Sequence, residues 1–188
     1  MPAASQAAIW VCWLVFGLVW VAAAFSTKRA LTRGVGARWY PIRGWVLPLV
    51  LAAAVLAARG LGGHLWAPSP VVGALLAAIV AMGLVFTLWA RAALGGNWSA
   101  GVVLKEGHTL VRSGPYAIVR HPIYTGLLAM TLGTGLYAGS MFGLVLVGAV
   151  AVVLCVRSFR EDELMAATFP DEYPGYRRRV RAFIPYVL

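Results

Sequence analysis

The residues able to do chemistry are concentrated in two polar stretches of an otherwise apolar chain. The first, residues 97–126, contains His121 directly before Pro122, and proline favours the first turn of a helix. A histidine at a helix N-terminus lies beside exposed N–H groups that favour a carboxylate ligand, or it serves only as a cap. From the residues alone, both interpretations of His121 are open.

The second polar stretch, residues 157–181, places Arg157 and Glu161 four positions apart, so that they share one face of a helix. The simplest interpretation is a solvated ion pair, worth about 1 kcal/mol at most. However, Glu161, Asp162 and Glu163 are half of the six acidic residues in the chain. Their grouping beside arginines strengthens the functional interpretation of the pair, and both interpretations are open.

Long apolar runs separate and precede these polar stretches. The chain is 61% hydrophobic and 12% charged, about half the charged fraction of a soluble domain. We therefore predict an all-α integral membrane protein of about five transmembrane helices, with a long cytoplasmic loop and amphipathic helices at the C-terminus. The predicted spans are residues 7–25, 44–58, 71–90, 123–137 and 141–156.

We expect these spans to form a single membrane domain. Residues 7–90 would hold the first three helices and residues 91–122 the loop. Residues 123–156 would form a transmembrane hairpin, and residues 157–188 a cytoplasmic closing segment. The order of the elements would then bring both polar stretches to the same side of the membrane.

The distribution of positive charge predicts the orientation of the chain. The net charge is +10, and the second predicted loop carries only Arg59, whereas the first, central and C-terminal segments are rich in Lys and Arg. Positively charged loops remain cytoplasmic, so we expect the N-terminus outside and both polar stretches in the cytoplasm. Facing anionic lipid also explains this charge better than nucleic-acid binding, which we do not expect.

Several catalytic motifs are absent from the sequence. There is no GxGxxG after a strand, no P-loop, no HExxH and no nucleophile elbow. Cys12 and Cys155 lie inside apolar runs, and no cysteine pair has the spacing of metal ligands. We therefore expect no metal site and no soluble dinucleotide-binding domain.

Two local patterns predict how the C-terminal half packs. Glycines would allow the last two spans to approach closely. Apolar residues at helical spacing predict an amphipathic helix near the C-terminus, on the membrane surface or on the bundle. The glycines are Gly133, Gly135, Gly143 and Gly148, and the apolar residues are Tyr173, Tyr176, Val180 and Phe183.

With these residues in view, the C-terminal half resembles the isoprenylcysteine carboxyl methyltransferase family, membrane methyltransferases related to phospholipid N-methyltransferases. Two motifs in this order carry the resemblance, and each is weak alone. The central motif is His108-Thr109-Leu110-Val111, Gly114-Pro115-Tyr116, Arg120-His121-Pro122-Ile123-Tyr124 and Gly126. The closing motif is Glu161-Asp162, Phe169, Tyr173 and Tyr176.

The resemblance implies S-adenosylmethionine as the methyl donor. It implies that Glu161 holds this donor and that Arg157 faces the carboxylate of the acceptor. The remaining donor-binding residues it implies come from the central loop: His108, Thr109, Leu110, Val111, Tyr116, His121, Pro122, Ile123 and Tyr124. Asp162 stands where the family usually has Glu, and Pro170 where it often has Gly, and we expect neither to touch the chemistry directly.

The implied reaction is a direct, in-line methyl transfer to the carboxylate of a lipophilic acceptor, either an isoprenoid or a prenylcysteine-like molecule. A carboxylate has a pKa near 4, so it is anionic at neutral pH and needs no general base. The enzyme would position the two reactants and exclude water. The donor would enter from the cytoplasm and the acceptor from the bilayer.

Three alternatives are open. Methylation of an amine headgroup would require a base such as Glu161 or His121. A non-catalytic membrane protein could retain the fold, and a membrane reductase could use a nicotinamide cofactor. The composition, rich in Ala, Gly and Arg, favours a bacterial inner membrane. The sequence predicts no oligomeric state.

Overall fold

A computed structural model describes residues 3–24, 64–97 and 109–185. These ranges are mostly helical and contain no β-strand, only isolated bridges. In chain order the helices are α1 (Ala3–Ala24), α2 (Pro70–Leu94), α3 (Pro115–Ile118), α4 (Pro122–Ala138), α5 (Met141–Thr168) and α6 (Tyr173–Arg179), with a 3₁₀ turn at Gly95–Asn97.

Three of the described helices are long and apolar enough to cross a membrane: Ala3–Ala22, Pro70–Leu94 and Met141–Thr168. The predicted class, an all-α integral membrane protein, is confirmed. The count of five spans is not established, because the span predicted at residues 44–58 lies outside the described ranges. The helix at the fourth predicted span, α4, has 17 residues and is shorter than the three candidate membrane-spanning helices.

The main departure from the predicted boundaries is α5. We expected this helix to end near residue 156, but it continues without a break to Thr168. At 1.5 Å per residue its 28 residues extend about 42 Å, beyond a hydrocarbon core of about 30 Å. Polar residues after Val156 sustain the helix, and it ends before Pro170 because the residue preceding a proline disfavours helical backbone.

The closest packing is between α2 and α4, where glycines bring two backbones together. A Cβ atom added at Gly126 would lie 2.0 Å from Thr87 Oγ1 and 2.5 Å from the carbonyl oxygen of Gly83. No side chain larger than hydrogen fits there, so α4 is held directly against α2. This contact fixes the position of α4 along α2. It therefore also fixes His121 and Tyr124, which lie at the N-terminal end of α4.

The glycine prediction for the last two spans is half right. Gly135 and Gly143 face each other across the α4–α5 pair, since a Cβ on either would lie about 3 Å from the other's carbonyl oxygen. Gly133 instead faces α2, and Gly148 has nothing within 4 Å. α1 joins this bundle through its indole at Trp13, whose Nε1 donates to Thr134 Oγ1 at 3.0 Å.

Candidate functional site

The site begins at His121, where α4 starts. The backbone of His121 caps the helix, but its side chain makes no capping hydrogen bond, so the interpretation as a cap alone is wrong. The ring is 8% exposed, and its Nε2 lies 2.9 Å from Asp162 Oδ1. Its Nδ1 lies 3.6 Å from Glu161 Oε2. Both ring nitrogens therefore face carboxylates of α5 in the same chain, and the carboxylate ligand expected at this helix N-terminus stays a prediction.

Glu161 connects this histidine to the rest of the cluster. Its Oε1 accepts a hydrogen bond from Arg157 Nε at 3.2 Å and another from the Tyr124 hydroxyl. The Tyr124 ring stacks on His121 with centroids 5.6 Å apart and planes within 6°. Arg157 Cζ lies 5.9 Å from the centroid of the same ring. The four side chains thus form one contiguous cluster.

Burial differs between the two sides of this cluster. The Arg157 and Glu161 side chains are 23% and 26% exposed, so they are not the solvated ion pair of the simplest interpretation. The Asp162 side chain is only 4% exposed. A ligand could therefore reach Arg157 and Glu161, whereas Asp162 lies behind them.

Asp162, which we expected not to touch the chemistry directly, lies at the centre of a buried network. Its Oδ1 accepts from His121 and from the Tyr173 hydroxyl, and its Oδ2 lies 2.9 Å from Arg120 Nη2. Arg177 Nε is 3.8 Å from the same Oδ2. A buried carboxylate needs such partners, because removal from water otherwise disfavours its charge.

We name residues 173–185 the C-terminal strap, because they cover the start of α4. The backbone N–H groups of Arg120 and His121 donate to the carbonyl oxygens of Arg181 and Ala182 at 2.7 and 3.0 Å. The Phe183 ring lies 5.8 Å from the His121 ring. The predicted amphipathic helix is shorter than expected: α6 ends at Arg179, and Val180 and Phe183 follow it in irregular backbone.

Within α6, Tyr173 and Tyr176 are both buried and face the site. The Tyr176 hydroxyl donates to the carbonyl oxygen of Tyr116 at 2.7 Å, which connects the strap to α3. Burial raises the pKa of Tyr173 and Tyr176, and the carboxylate of Asp162 adds to the effect for both. Both phenols therefore stay neutral and act as hydrogen-bond donors at physiological pH.

The charge on His121 is set by two opposed effects. Burial lowers the pKa of the imidazole, but its hydrogen bonds and charge interactions with Asp162 and Glu161 outweigh burial. The pKa of His121 is therefore raised above its ordinary value. The two carboxylates stabilise a positive imidazolium between them.

The remaining described residues of the predicted site lie in the first turn of α4, in α3 and in the segment just before α3. Pro122 and Ile123 are buried in the first turn of α4, beside His121 and Tyr124. Tyr116 is buried in α3, and burial together with the charge of Glu161 raises its pKa. Thr109 is exposed, and Leu110 and Val111 are partly buried in irregular backbone before α3. His108 lies outside the described residues.

Three residues of this network were absent from the predicted site: Arg120, Asp162 and Tyr173. Two of them adjoin predicted residues in the sequence, and all three belong to the motifs of the resemblance. Charge could have identified Arg120 and Asp162, because both border apolar helices and need opposite partners when buried. Within the described residues, no group of three or more His, Cys, Asp or Glu side chains could hold a metal ion.

Comparison with known proteins gives one family and several relatives. The phospholipid methyltransferase family matches residues 70–172. The chain is 38% identical over 96 residues to the cobalt-zinc-cadmium resistance protein CzcN of Cupriavidus metallidurans, covering 50% of the chain and 44% of that protein. It is 35% identical over 83 residues to the protein-S-isoprenylcysteine O-methyltransferase of Schizosaccharomyces pombe, covering 44% and 35%.

A longer match is with the nickel-cobalt-cadmium resistance protein NccN of Alcaligenes xylosoxydans xylosoxydans, 31% identical over 140 residues. It covers 72% of this chain and 62% of that protein, so the chain spans between about a third and two thirds of these relatives. The predicted family resemblance is confirmed. Because the family match extends over more than half of its residues, this chain belongs to the phospholipid methyltransferase family.

Proposed function

We propose that this protein is an S-adenosylmethionine-dependent methyltransferase that methylates the carboxylate of a lipophilic acceptor, either an isoprenoid or a prenylcysteine-like molecule. The observation that carries the proposal is the junction of the two motifs: His121 and Tyr124 of α4 touch Glu161 and Arg157 of α5. Relatives named protein-S-isoprenylcysteine O-methyltransferase support the reaction class.

The cluster has the chemical groups that this donor requires. S-adenosylmethionine carries a positive sulfonium, an ammonium, a carboxylate and ribose hydroxyls. Glu161 is a partly exposed carboxylate that can accept hydrogen bonds from the ammonium or the ribose. The Tyr124 hydroxyl donates to Glu161, and Tyr116 lies near enough for the charge of Glu161 to act on its pKa; aromatic rings of this kind attract cations. The donor, when bound, supplies an electrophilic methyl group.

In this proposal Arg157 holds the acceptor. A guanidinium binds a carboxylate through paired hydrogen bonds, which fixes its orientation as well as its position. Arg157 directly follows Val156, the last residue of the apolar part of α5. In a membrane this position would lie near the lipid headgroups, where the carboxylate of a lipophilic acceptor would also lie. The side chain is 23% exposed and borders Glu161, so acceptor and donor would be held side by side.

The rate would come from positioning and from exclusion of water. Holding two reactants in line can contribute about 7–11 kcal/mol. The acceptor carboxylate is already ionised, so the chain needs to remove no proton. His121 and Asp162 are both almost completely buried, and they would exclude water from the side of the site behind the reacting groups.

The second candidate is N-methylation of an amine headgroup, which the description of the matching family favours. That acceptor must lose a proton, and Glu161 is the partly exposed carboxylate of the cluster that could take it. The two candidates therefore differ in whether Glu161 acts only in binding or also as a base.

Transfer of a labelled methyl group into a lipid extract would test both candidates. The purified protein, in detergent, would be incubated with labelled donor and the products treated with mild base. Methyl esters would release labelled methanol, whereas N-methyl products would retain the label. Absence of both transfer and donor binding at millimolar concentration would contradict the proposal and favour a non-catalytic protein, and a thermal shift with a nicotinamide cofactor alone would favour a reductase.

We also propose that the protein resides in a bacterial inner membrane with its N-terminus outside and the site in the cytoplasm. The arginines of the strap, Arg177, Arg178, Arg179 and Arg181, lie on the same side as Arg157 and support this orientation. Reporter fusions would test it. A C-terminus on the outer face would contradict the orientation.

A further inference from the structure

The proposed reaction assigns Glu161 to the donor and Arg157 to the acceptor, and it gives Asp162 no contact with either. Asp162 is nevertheless the most extensively bonded carboxylate in the described part of the chain. It is 4% exposed, and its contacts come from the start of α4 and from the C-terminal strap. A carboxylate this deeply buried does not reach a ligand, so any effect on the reaction must pass through its partners.

We propose that Asp162 is a positioning residue that holds the His121 ring against Glu161 and connects that ring to the C-terminal strap through Arg120 and Tyr173. The inference rests on the proposed function, because it concerns the cluster assigned to the donor. It goes beyond that function by naming residues that touch neither donor nor acceptor.

The two oxygens of Asp162 have different partners. Oδ1 accepts from His121 Nε2 at 2.9 Å and also from the Tyr173 hydroxyl. Oδ2 faces Arg120 Nη2 at 2.9 Å and Arg177 Nε at 3.8 Å. Fixing one ring nitrogen at Oδ1 leaves the other nitrogen directed toward Glu161. Asp162 therefore determines the orientation of the His121 ring from the side away from Glu161.

Arg120 joins this carboxylate to the end of α6. Its Nη1 donates to the carbonyl oxygen of Arg177 at 3.2 Å and also to that of Val180. These carbonyls lie at the C-terminus of the helix, where backbone acceptors lack partners within the helix. One guanidinium therefore holds Asp162 and the strap together, so loss of either contact should loosen the His121 ring.

Ionisation of His121 gives a readout that does not depend on methyl transfer. The charged and titratable groups around the ring are Glu161, Asp162 and Arg157 of α5, Tyr173 and Arg177 of α6, and Arg120 and Tyr124 of its own segment. The chain has three histidines, so the ring signals of labelled full-length protein can be assigned with single histidine variants.

The test compares the His121 titration by NMR in wild-type, Asp162→Asn and Tyr173→Phe proteins in detergent. Asp162→Asn removes the negative charge and should shift the midpoint to lower pH. Tyr173→Phe removes a donor that competes for the same oxygen, Oδ1, and should shift the midpoint in the opposite direction. Glu163→Gln, a change at an exposed neighbour, is the matched control and should leave the midpoint unchanged.

Opposite shifts in the two variants would support the shared contact at Oδ1, and the effect of Asp162→Asn on methyl transfer separates positioning from a purely structural ion pair. Unchanged midpoints, or shifts in the same direction, would overturn it. Where methyl transfer is observed, Asp162→Asn should also reduce kcat/KM per folded molecule on the order of 10–100-fold, the size of the effect when a metal-ligating histidine loses the group that orients it. Absence of methyl transfer in the wild type would refute the proposed function while the titration still tests the role of Asp162. If Asp162→Asn does not fold, the shift in Tyr173→Phe still decides the matter.

Discussion

The two ends of the α4–α5 pair are closed in different ways. At the hairpin end, neutral groups satisfy the backbone: Trp66 Nε1 donates to the carbonyl oxygen of Leu136 at 3.0 Å, and the N–H of Leu65 to that of Gly139 at 2.7 Å. Gly139 adopts a left-handed conformation with φ 61°, and the Ser140 hydroxyl accepts from the N–H of Gly143 at 3.1 Å. This arrangement stabilises a turn and needs no charge.

At the end of the pair where α4 begins, charged side chains connect the two helices. Arg120, His121, Arg157, Glu161 and Asp162 meet there, and Asp162 is almost completely buried. Burying a charge costs free energy that neutral closure avoids, and apolar replacement of a buried ion pair is often neutral or stabilising. The difference fits the proposed function, in which the charged end carries the chemistry and the hairpin end serves folding.

The largest expected effect is a loss of methyl transfer on substitution of Arg157, at the charged end. We expect Arg157→Ala to lower kcat for methyl transfer by about 10²–10³-fold, the usual cost of removing one positioned donor. Donor binding should be nearly unchanged, because Arg157 is assigned to the acceptor. Arg160→Ala, an exposed arginine on the same helix, is the control. Equal losses of donor affinity and turnover would contradict the assignment.

Substitution of Glu161 should lower donor affinity, the quantity that Arg157→Ala should leave nearly unchanged. Glu161→Ala removes hydrogen bonds that involve a charged group, each worth about 1.5–3 kcal/mol, so donor affinity should fall by roughly 10–100-fold. Calorimetry in detergent would measure it, with Glu163→Ala as the exposed control. An unchanged donor affinity would remove Glu161 from the proposed site.

The hairpin end should respond in stability and not in chemistry. An added Cβ at Gly139 would lie 2.1 Å from the carbonyl oxygen of Trp66, in a backbone conformation that favours glycine. We expect Gly139→Ala to cost roughly 1–3 kcal/mol of stability. The folded fraction should bind the donor normally. Gly148→Ala, where nothing lies within 4 Å, is the matched control, and an equal loss in both variants would refute the steric explanation.

The smallest effect is the pH dependence of stability. The pKa of His121 is raised in the folded protein, so its protonated form is favoured by folding. This contribution is fully present below the ordinary pKa of about 6.5 and is lost as pH rises through the higher folded value. Thermal unfolding followed across this window should show the loss, and His121→Gln should flatten it. An identical pH dependence in the variant would contradict the charge assigned to His121.

The sequence predicted the elements better than the connections between them. Long apolar runs and the spacing of Arg157 and Glu161 were sufficient to place the four long helices of the described residues and one ion pair. The extension of α5 to Thr168 was missed, because the hydropathy that locates a membrane span falls at Arg157 although helix propensity continues. Hydropathy therefore marks where a helix leaves the bilayer and not where it ends.

The predicted site was incomplete for a different reason. His121, Tyr124 and Glu161 stand in recognisable motifs, but the contact of Asp162 with Arg120 joins residues 42 positions apart. The same holds for the backbone pairing of residues 120 and 121 with residues 181 and 182. These contacts follow from how α4, α5 and the C-terminal strap pack, and no local pattern specifies that packing.

The unbroken course of α5 has a mechanical consequence. One rigid rod carries its apolar face into lipid at Val145 and Val152 and its polar end to Glu161. Helices adjust their tilt when bilayer thickness changes. A tilt of α5 would carry Glu161 with it, whereas His121 would follow α4, which is clamped to α2 at Gly126. We therefore expect lipid chain length to influence the distance between these two side chains.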